Sequence, residues 1–323
     1  MIRPISAVAA ALMLATTTAC GSGAADEEPA ADGFPVTIEN CGAEVTIDAP
    51  PERVVMLKSS AVPYLHALGV MDQVVARAGE YPTDYYDTET LAELDEIPQL
   101  TDETDTSGHL QISKEVVIAE EPDLVLGEVD NLSRDTLDAV GIDLLEEPAM
   151  CAQGVDDPGF DDIYSQLEAY GKVFDRQDEA AQAVADLQRR VAELEREKVG
   201  TGRTAAVLYP TVGGGATYAY GTRSMAHPQL EAAGFEDVFG DVDERVFEVS
   251  TEELLARDPD VIILLHNAGD PDKVEQAITR MPGAEALTAV ENGDVMTQLF
   301  NFTEPPSALS VDGLERIIDR FGR

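Results

Sequence analysis

ISKEVVIAEEPDLVL (residues 112–126) returns in altered form as VSTEELLARDPDVII (residues 249–263). Aligned without gaps, Ser113 falls on Ser250, Glu115 on Glu252, Ala119 on Ala256, Pro122 on Pro259 and Asp123 on Asp260. Each copy reads as a short helix, a Pro-Asp turn and a buried strand. The serine can accept from the unpaired N–H groups of the first helical turn, and an early glutamate suits the positive end of the helix. Proline stops the helix, and the apolar run behind it has the length of a strand buried on both faces. One copy lies in each half of the chain, which predicts two lobes of related α/β design.

Outward from the first copy, strands and helices alternate. Residues 53–57 (RVVML) follow Pro50-Pro51 as a short apolar strand, and residues 61–68 read as a helix stopped by Gly69. Residues 74–76 and 143–145 add strands, with a helix over 133–140 ended by Gly141. Ahead of these, residues 36–38 and 45–47 flank Asn40-Cys41-Gly42 and predict a hairpin. Around the second copy, strands are predicted at 204–209, 217–219, 261–265 and 295–297, and helices at 224–233, 251–256, 271–280 and 307–321. Such alternation predicts a mostly parallel sheet in each lobe, flanked by helices.

Between the halves the alternation stops. Residues 161–173 and 178–198 are helical, with Asp175 and Asp178 as expected caps. In the second helix Ala180, Val184, Leu187, Val191 and Leu194 recur along one stripe, while Asp186, Arg190, Glu193 and Glu197 take the other face. A helix over 178–198 is a rod of about 30 Å. It would join a lobe at 35–177 to a lobe at 199–323 as a stiff strut.

The ends and the composition bound the setting. Arg3 and the apolar run at 5–15 have the form of an export signal, expected over 1–19. That run is too short to span a bilayer, which takes about 20 apolar residues. Thr17-Thr18-Ala19-Cys20 resembles a lipobox, with Thr17 where leucine is usual, so Cys20 is expected to carry lipid. Residues 20–34 then read as an acidic, flexible tether. These readings place the protein outside the cell membrane, anchored through Cys20.

With Cys20 set aside, Cys41 and Cys151 remain, and an oxidising compartment predicts one disulfide between them. Two isolated cysteines without nearby histidines lack zinc-ligand spacing. The chain carries 63 Asp and Glu against 21 Lys and Arg, a formal net charge of -42. That excludes a general nucleic-acid binder, which needs a basic face. It fits a solvated acidic surface whose self-repulsion is screened by salt. Gly213-Gly214-Gly215 lacks the lysine of a P-loop and the spacing of a dinucleotide fingerprint, and no G-x-S-x-G elbow occurs. No enzyme is expected.

Taken in order, PPERVVMLKSSAVPYLHALGV (residues 50–70), the two repeat copies and AAQAVADLQRRVAEL (residues 180–194) resemble the solute-binding proteins of iron-complex import systems. NCGAEVTIDAP and the second cysteine are similar to the actinobacterial lipoprotein branch. The resemblance runs from about residue 35 to residue 320. It implies two lobes joined by one rigid helix, with a ferric siderophore, haem or cobalamin in the cleft between them. It implies a monomeric binder whose partner is an ABC permease dimer. It also implies docking: one surface glutamate of each lobe pairs with arginines of the transporter. By position these are Glu115 and Glu252, with Glu253 as a possible substitute for the latter. Carboxylates on a projecting helix end meet guanidinium groups bidentately.

Ligands of open α/β sheets sit beyond the carboxyl ends of the strands. That rule selects Lys58 and Ser59, Arg77 and Tyr81, and Glu128 in the first lobe. In the second it selects Tyr218, Tyr220 and Arg223, then His266 and Asn267, then Phe300 and Phe302. Lys58, Arg77 and Arg223 could hold the anionic oxygens of a ferric complex, and the aromatics could cover its organic frame. His109, six residues before Glu115, is a candidate cleft contact, and an iron ligand if the cargo is haem. His66 is expected to pack within its helix; with His227 it completes a set of 4 histidines, too few for a zinc site. The mixture of cations and tyrosines, and the absence of any tryptophan platform, favour a ferric siderophore over haem or cobalamin. No resident cofactor is expected.

Overall fold

The hairpin forms where the sequence offers a two-residue turn of the right hand. Strands β1 (Val36–Asn40) and β2 (Ala43–Ile47) pair antiparallel across Cys41 and Gly42, both at positive φ (54° and 74°), the geometry that matches strand twist in a tight hairpin. The computed structural model describes residues 33–105, 109–129, 132–151, 154–267 and 269–322. The expected export signal, Cys20 and the tether up to residue 32 lie outside the described residues. Phe34, assigned to the tether, is instead buried against the core, where an aromatic ring removes a large apolar area from water.

The first lobe continues with β3 (Val54–Met56), α1 (Val62–Ala67), β4 (Val74–Arg77), α2 (Thr88–Asp95), α3 (Lys114–Ile118), β5 (Leu124–Leu126), α4 (Arg134–Asp138) and β6 (Asp143–Leu145). Its four-stranded sheet runs β4-β3-β5-β6 and is parallel throughout. Helices α5 (Phe160–Val173) and α6 (Gln177–Leu194) follow. The second lobe holds β7 (Thr204–Pro210), β8 (Thr217–Tyr220), α7 (Ala226–Ala233), β9 (Glu236–Asp237), β10 (Val246–Val249), α8 (Thr251–Arg257), β11 (Val261–His266), α9 (Pro271–Thr279), α10 (Thr288–Asn292), β12 (Val295–Leu299) and α11 (Ala308–Phe321). Its sheet runs β10-β8-β7-β11-β12, with β9 beside β7. Strands β7, β9, β10, β11 and β12 share one direction, whereas β8 runs antiparallel to its neighbours β7 and β10. Alternating strands and helices thus give two α/β lobes, as read from the sequence.

The repeat is structural as well as textual. Ser113 Oγ accepts from the Val116 amide at 3.4 Å and Ser250 Oγ from the Glu253 amide at 3.1 Å, so each serine caps its helix. At the matching turn positions Glu121 (φ 50°) and Asp258 (φ 42°) both adopt the left-handed conformation. The aligned aspartates then do the same work. Asp123 accepts from the Glu52 and Arg53 amides at 2.7 and 3.0 Å, beside the start of β3. Asp260 accepts from the Thr204 amide at 2.8 Å, at the start of β7. Each copy therefore locks the amino end of its own lobe's first sheet strand.

The strut is shorter than the expected 178–198. Helix α6 ends at Leu194, and the chain turns until Lys198 reaches φ 40°. Beyond it the chain runs close to Phe235: a Cβ on Gly200 would lie 2.4 Å from that ring, so only glycine fits there. The expected caps are also corrected. Arg176 occupies the N-cap position without a side-chain bond, Asp175 turns the chain at φ 54°, and Asp178 sits in the first turn. The predicted stripe does face inward: Ala180, Val184, Val191 and Leu194 are buried and Leu187 is partly so. One apolar core runs from Val54 and Leu124 through Leu167 and Val184 to Val207 and Val311, so the strut is packed into both lobes.

A covalent staple ties the hairpin to the first lobe. Cys41 and Cys151 are disulfide-bonded, their Cα atoms 5.2 Å apart. Beside the bond, Asn40 donates from Nδ2 to the Glu146 carbonyl at 2.9 Å and accepts from the Glu146 amide at 2.8 Å.

Candidate functional site

Segments that follow β4 and β6 of the first lobe meet segments that follow β12 and precede β10 of the second across the gap between the lobes. Three contacts establish this. The Tyr85 hydroxyl accepts from the Asn301 amide at 2.9 Å and lies 3.1 Å from Asn301 Oδ1. The Tyr85 ring meets Phe302 edge-on, with centroids 5.0 Å apart. Deeper in, the Arg245 guanidinium lies 3.6 Å from Met150 Sδ. The gap is therefore bridged by aromatic and polar contacts, with the strand ends around it.

On the first-lobe side, Lys58 leaves β3 and crosses Gly127, whose φ of 95° and missing side chain make room: a Cβ there would lie 2.4 Å from Lys58 Cγ. Its ammonium then pairs with Glu128 at 2.9 Å. Behind this pair Glu147 is buried. Its carboxylate accepts from Ser60 Oγ at 3.0 Å, and its amide donates to Glu128 Oε2 at 3.2 Å. Burial pushes the Glu147 carboxyl up to about 7, against the lowering effect of the Ser60 hydroxyl; a hydroxyl alone does not repay the desolvation of a carboxylate. Tyr81 and Tyr86 stand beside it with their hydroxyls engaged, donating to the Met56 and Ser59 carbonyls, each at 2.9 Å.

On the second-lobe side another carboxylate, Glu304, is 1 % exposed but differently partnered. It accepts from the Met225 amide at 2.5 Å and from Arg245 Nε at 2.8 Å. Burial still holds its carboxyl above the ordinary range, because desolvation outweighs the guanidinium. The loop carrying Phe300–Phe302 is pinned from below: Gln229 Nε2 donates to the Phe302 and Ser310 carbonyls, both at 2.7 Å. Tyr209 packs edge-on to Phe300 at 6.2 Å.

The expected residues distribute unevenly over this frame. Lys58, Glu128 and Ser59 lie on the first-lobe rim, and Phe300 and Phe302 on the second, with Phe302 buried. Arg77 is tucked under Tyr81, its guanidinium 5.0 Å from the ring centroid and its Nε 3.3 Å from the Ile97 carbonyl. Arg223 pairs with Asp156 in the segment ahead of α5. Strand β8 runs against β7, so its carboxyl end points away from the rim. Tyr218 stands opposite Tyr209 and is exposed, whereas Tyr220 is buried deeper. His266 is buried at the end of β11. His109 is 65 % exposed, in a turn where its amide donates to Asp105 Oδ1 at 3.0 Å. His66 is 29 % exposed and turns toward the next helix, its Nδ1 2.5 Å from Glu93 of α2.

Glu115 and Glu252 are exposed in the first turns of α3 and α8. Glu253 is instead held by Arg257 at 3.2 Å. Sequence reasoning missed Tyr85, Asn301, Glu147, Arg245 and Glu304. The run GEYPTDYYD just beyond β4 offered an aromatic signal for Tyr85. Nothing in the sequence marks Arg245, because the strand that positions it was not predicted.

Comparison with known proteins gives a consistent picture. The family model described as "Periplasmic binding protein" matches residues 54–298. A curated cobalamin-binding protein from Halobacterium salinarum is 26% identical, over 95% of this chain and 82% of that protein. Among solved structures, an ABC-type Fe3+-hydroxamate transport system protein from Saccharomonospora viridis superposes with a TM-score of 0.84 at 59% identity, covering 90% of this chain and 100% of that one. A periplasmic haem-binding protein from Pseudomonas aeruginosa is similar in fold, with a TM-score of 0.67 at 18% identity, covering 84% of this chain and 92% of that one.

Proposed function

Because this chain belongs to the periplasmic binding protein family, we propose that it captures a ferric hydroxamate siderophore between its lobes and delivers it to an ABC permease. The likeness to the Fe3+-hydroxamate transport protein supports this reading most strongly, since it spans nearly the whole chain at high identity. The geometry agrees with it. The strand ends of both lobes meet around one gap, aromatics line it, and a strut packed into both lobes limits closure to small motions. The cobalamin-binding relative favours a second reading in which the same cleft holds a corrinoid.

Docking would use the outer ends of the repeat. Glu115 and Glu252 project from matching helix starts and make no ion pair among the described residues, leaving both carboxylates open to transporter arginines. Lipid on Cys20 would keep the loaded protein at the membrane face, and a monomer suffices for this role. Titration followed by tyrosine fluorescence tests the cargo. A ferric trihydroxamate should bind at one site per chain, while haem and cyanocobalamin should not. Binding of cyanocobalamin with no response to any ferric trihydroxamate would overturn the hydroxamate reading and install the corrinoid one.

A further inference from the structure

We infer that the interlobe cleft selects ferric complexes that carry no net negative charge, because the cations of its walls are already engaged by the protein's own groups, three of them by carboxylates. This inference rests on the proposed ferric hydroxamate cargo and sharpens it. Lys58 is matched to Glu128 within the first lobe. Arg245 is matched to Glu304 within the second. Arg223 is matched to Asp156, in the segment between the sheets. Arg77 is covered by the Tyr81 ring and bonded to a carbonyl. None of these cations stands ready for a ligand carboxylate or catecholate.

One exposed carboxylate remains beyond those pairs. Glu80 is exposed and makes no ion pair among the described residues. It lies in the loop between β4 and Tyr85, whose ring meets Phe302 of the second lobe, so it stands near the rim where the lobes meet. The cleft therefore presents cations that are already engaged, on a protein that is itself strongly acidic. An anionic complex would have to approach Glu80 and pull a cation from an existing partner, and taking one member from a partly buried pair strands the other.

The chemistry of the chelates makes the distinction sharp. Three hydroxamates each lose one proton and together cancel the charge of ferric iron. Three catecholates each lose two protons and leave the complex triply negative. A trihydroxamate offers carbonyl oxygens to hydroxyl and amide donors without needing a cation. If its chain ends in an ammonium group, Glu80 is placed to meet it.

The test keeps the chelate constant and changes only its charge. The full mature chain is titrated by calorimetry with a linear ferric trihydroxamate ending in a free amine, its N-acetyl derivative and its N-succinyl derivative. These are cationic, neutral and anionic. The succinyl form is expected to bind about tenfold or more weaker than the acetyl form, the effect of placing like charges together. The amine form should bind at least as tightly as the acetyl form. Added salt should narrow the differences. Glu80→Gln should remove the preference for the amine while leaving the acetyl form unchanged. Succinyl binding equal to or tighter than acetyl binding, or Lys58→Met weakening the succinyl form alone, would overturn the inference while the hydroxamate reading stands. Failure of all three forms to bind would remove the reading and the inference together.

Discussion

The two lobes are alike at the amino ends of their sheets and unlike at the carboxyl ends. At the amino ends, Asp123 and Asp260 perform one task on β3 and β7, after matching left-handed turns at Glu121 and Asp258. At the carboxyl ends, Glu147 and Glu304 are both buried, yet one has a hydroxyl partner and the other a guanidinium and an amide. The sheets diverge too, parallel throughout in one lobe and mixed in the other. The duplicated edge maintains the scaffold, while the divergent edge faces the gap where a ligand is recognised. An asymmetric cargo needs unlike walls, whereas the strand anchors can be copied.

The largest asymmetry to break is covalent, since only the first lobe carries a disulfide. Replacing both Cys41 and Cys151 with serine opens a loop of 110 residues. It should lower stability by about 4–5 kcal/mol in the chain-entropy account, read as a fall in the urea midpoint relative to the disulfide-bonded protein. A loss below about 1 kcal/mol would mean that the Asn40 bonds hold the hairpin unaided.

The buried carboxylates come next. Glu304→Gln leaves Arg245 without its carboxylate and should cost about 2–3 kcal/mol, the range for a lost charge-assisted bond. Glu147 should behave in the opposite sense. Its carboxyl, ordinarily at 4.5, is pushed up to about 7 in the folded protein. The folded state therefore holds a proton that the unfolded chain releases. The stability this supplies is complete below pH 4.5 and is lost as pH rises through 7, by roughly 3 kcal/mol at most. Asp143, pushed up to about 6 by burial, adds a slope of the same sign. Glu147→Gln should flatten the pH dependence of unfolding relative to wild type, leaving the parts that come from Asp143 and Glu304. An unchanged slope would show that Glu147 is not the protonated group.

The anchors should be matched. Asp123→Ala and Asp260→Ala each remove bonds to strand-start amides, and each should cost about 1–2 kcal/mol. They lie in different lobes, so their effects should add to within about 0.5 kcal/mol. A tenfold disparity in the unfolding constant between them would break the equivalence of the copies. The smallest stability effect belongs to the helix starts. Glu115→Ala with Glu252→Ala should change stability and ligand affinity by less than about 0.5 kcal/mol, yet impair uptake by cells. Lost affinity instead would place these carboxylates in the cleft.

Much of the scaffold was legible because it follows local rules. The repeat, the stripe from Ala180 to Leu194 and the buried runs of β5 and β11 announce themselves through spacing and apolarity. Strand β10 did not, since its pattern VFEV alternates weakly and its pairing with β8 is distant in sequence. The hidden antiparallel run of β8 is why the strand-end rule chose Tyr220, which the fold buries. The cations were visible as residues but their partners were not. Lys58 with Glu128 and Arg245 with Glu304 join segments far apart in the chain, and only the fold brings them together.

The central claim is that iron sits, inside its chelate, where the two divergent sheet edges meet. Anomalous scattering at the iron edge from crystals of the mature protein loaded with a ferric trihydroxamate locates the metal directly. The account predicts one iron per chain, between the Lys58–Ser60 side of the first lobe and the Tyr209 and Phe300 rings of the second. Full occupancy of iron anywhere outside that gap would contradict it.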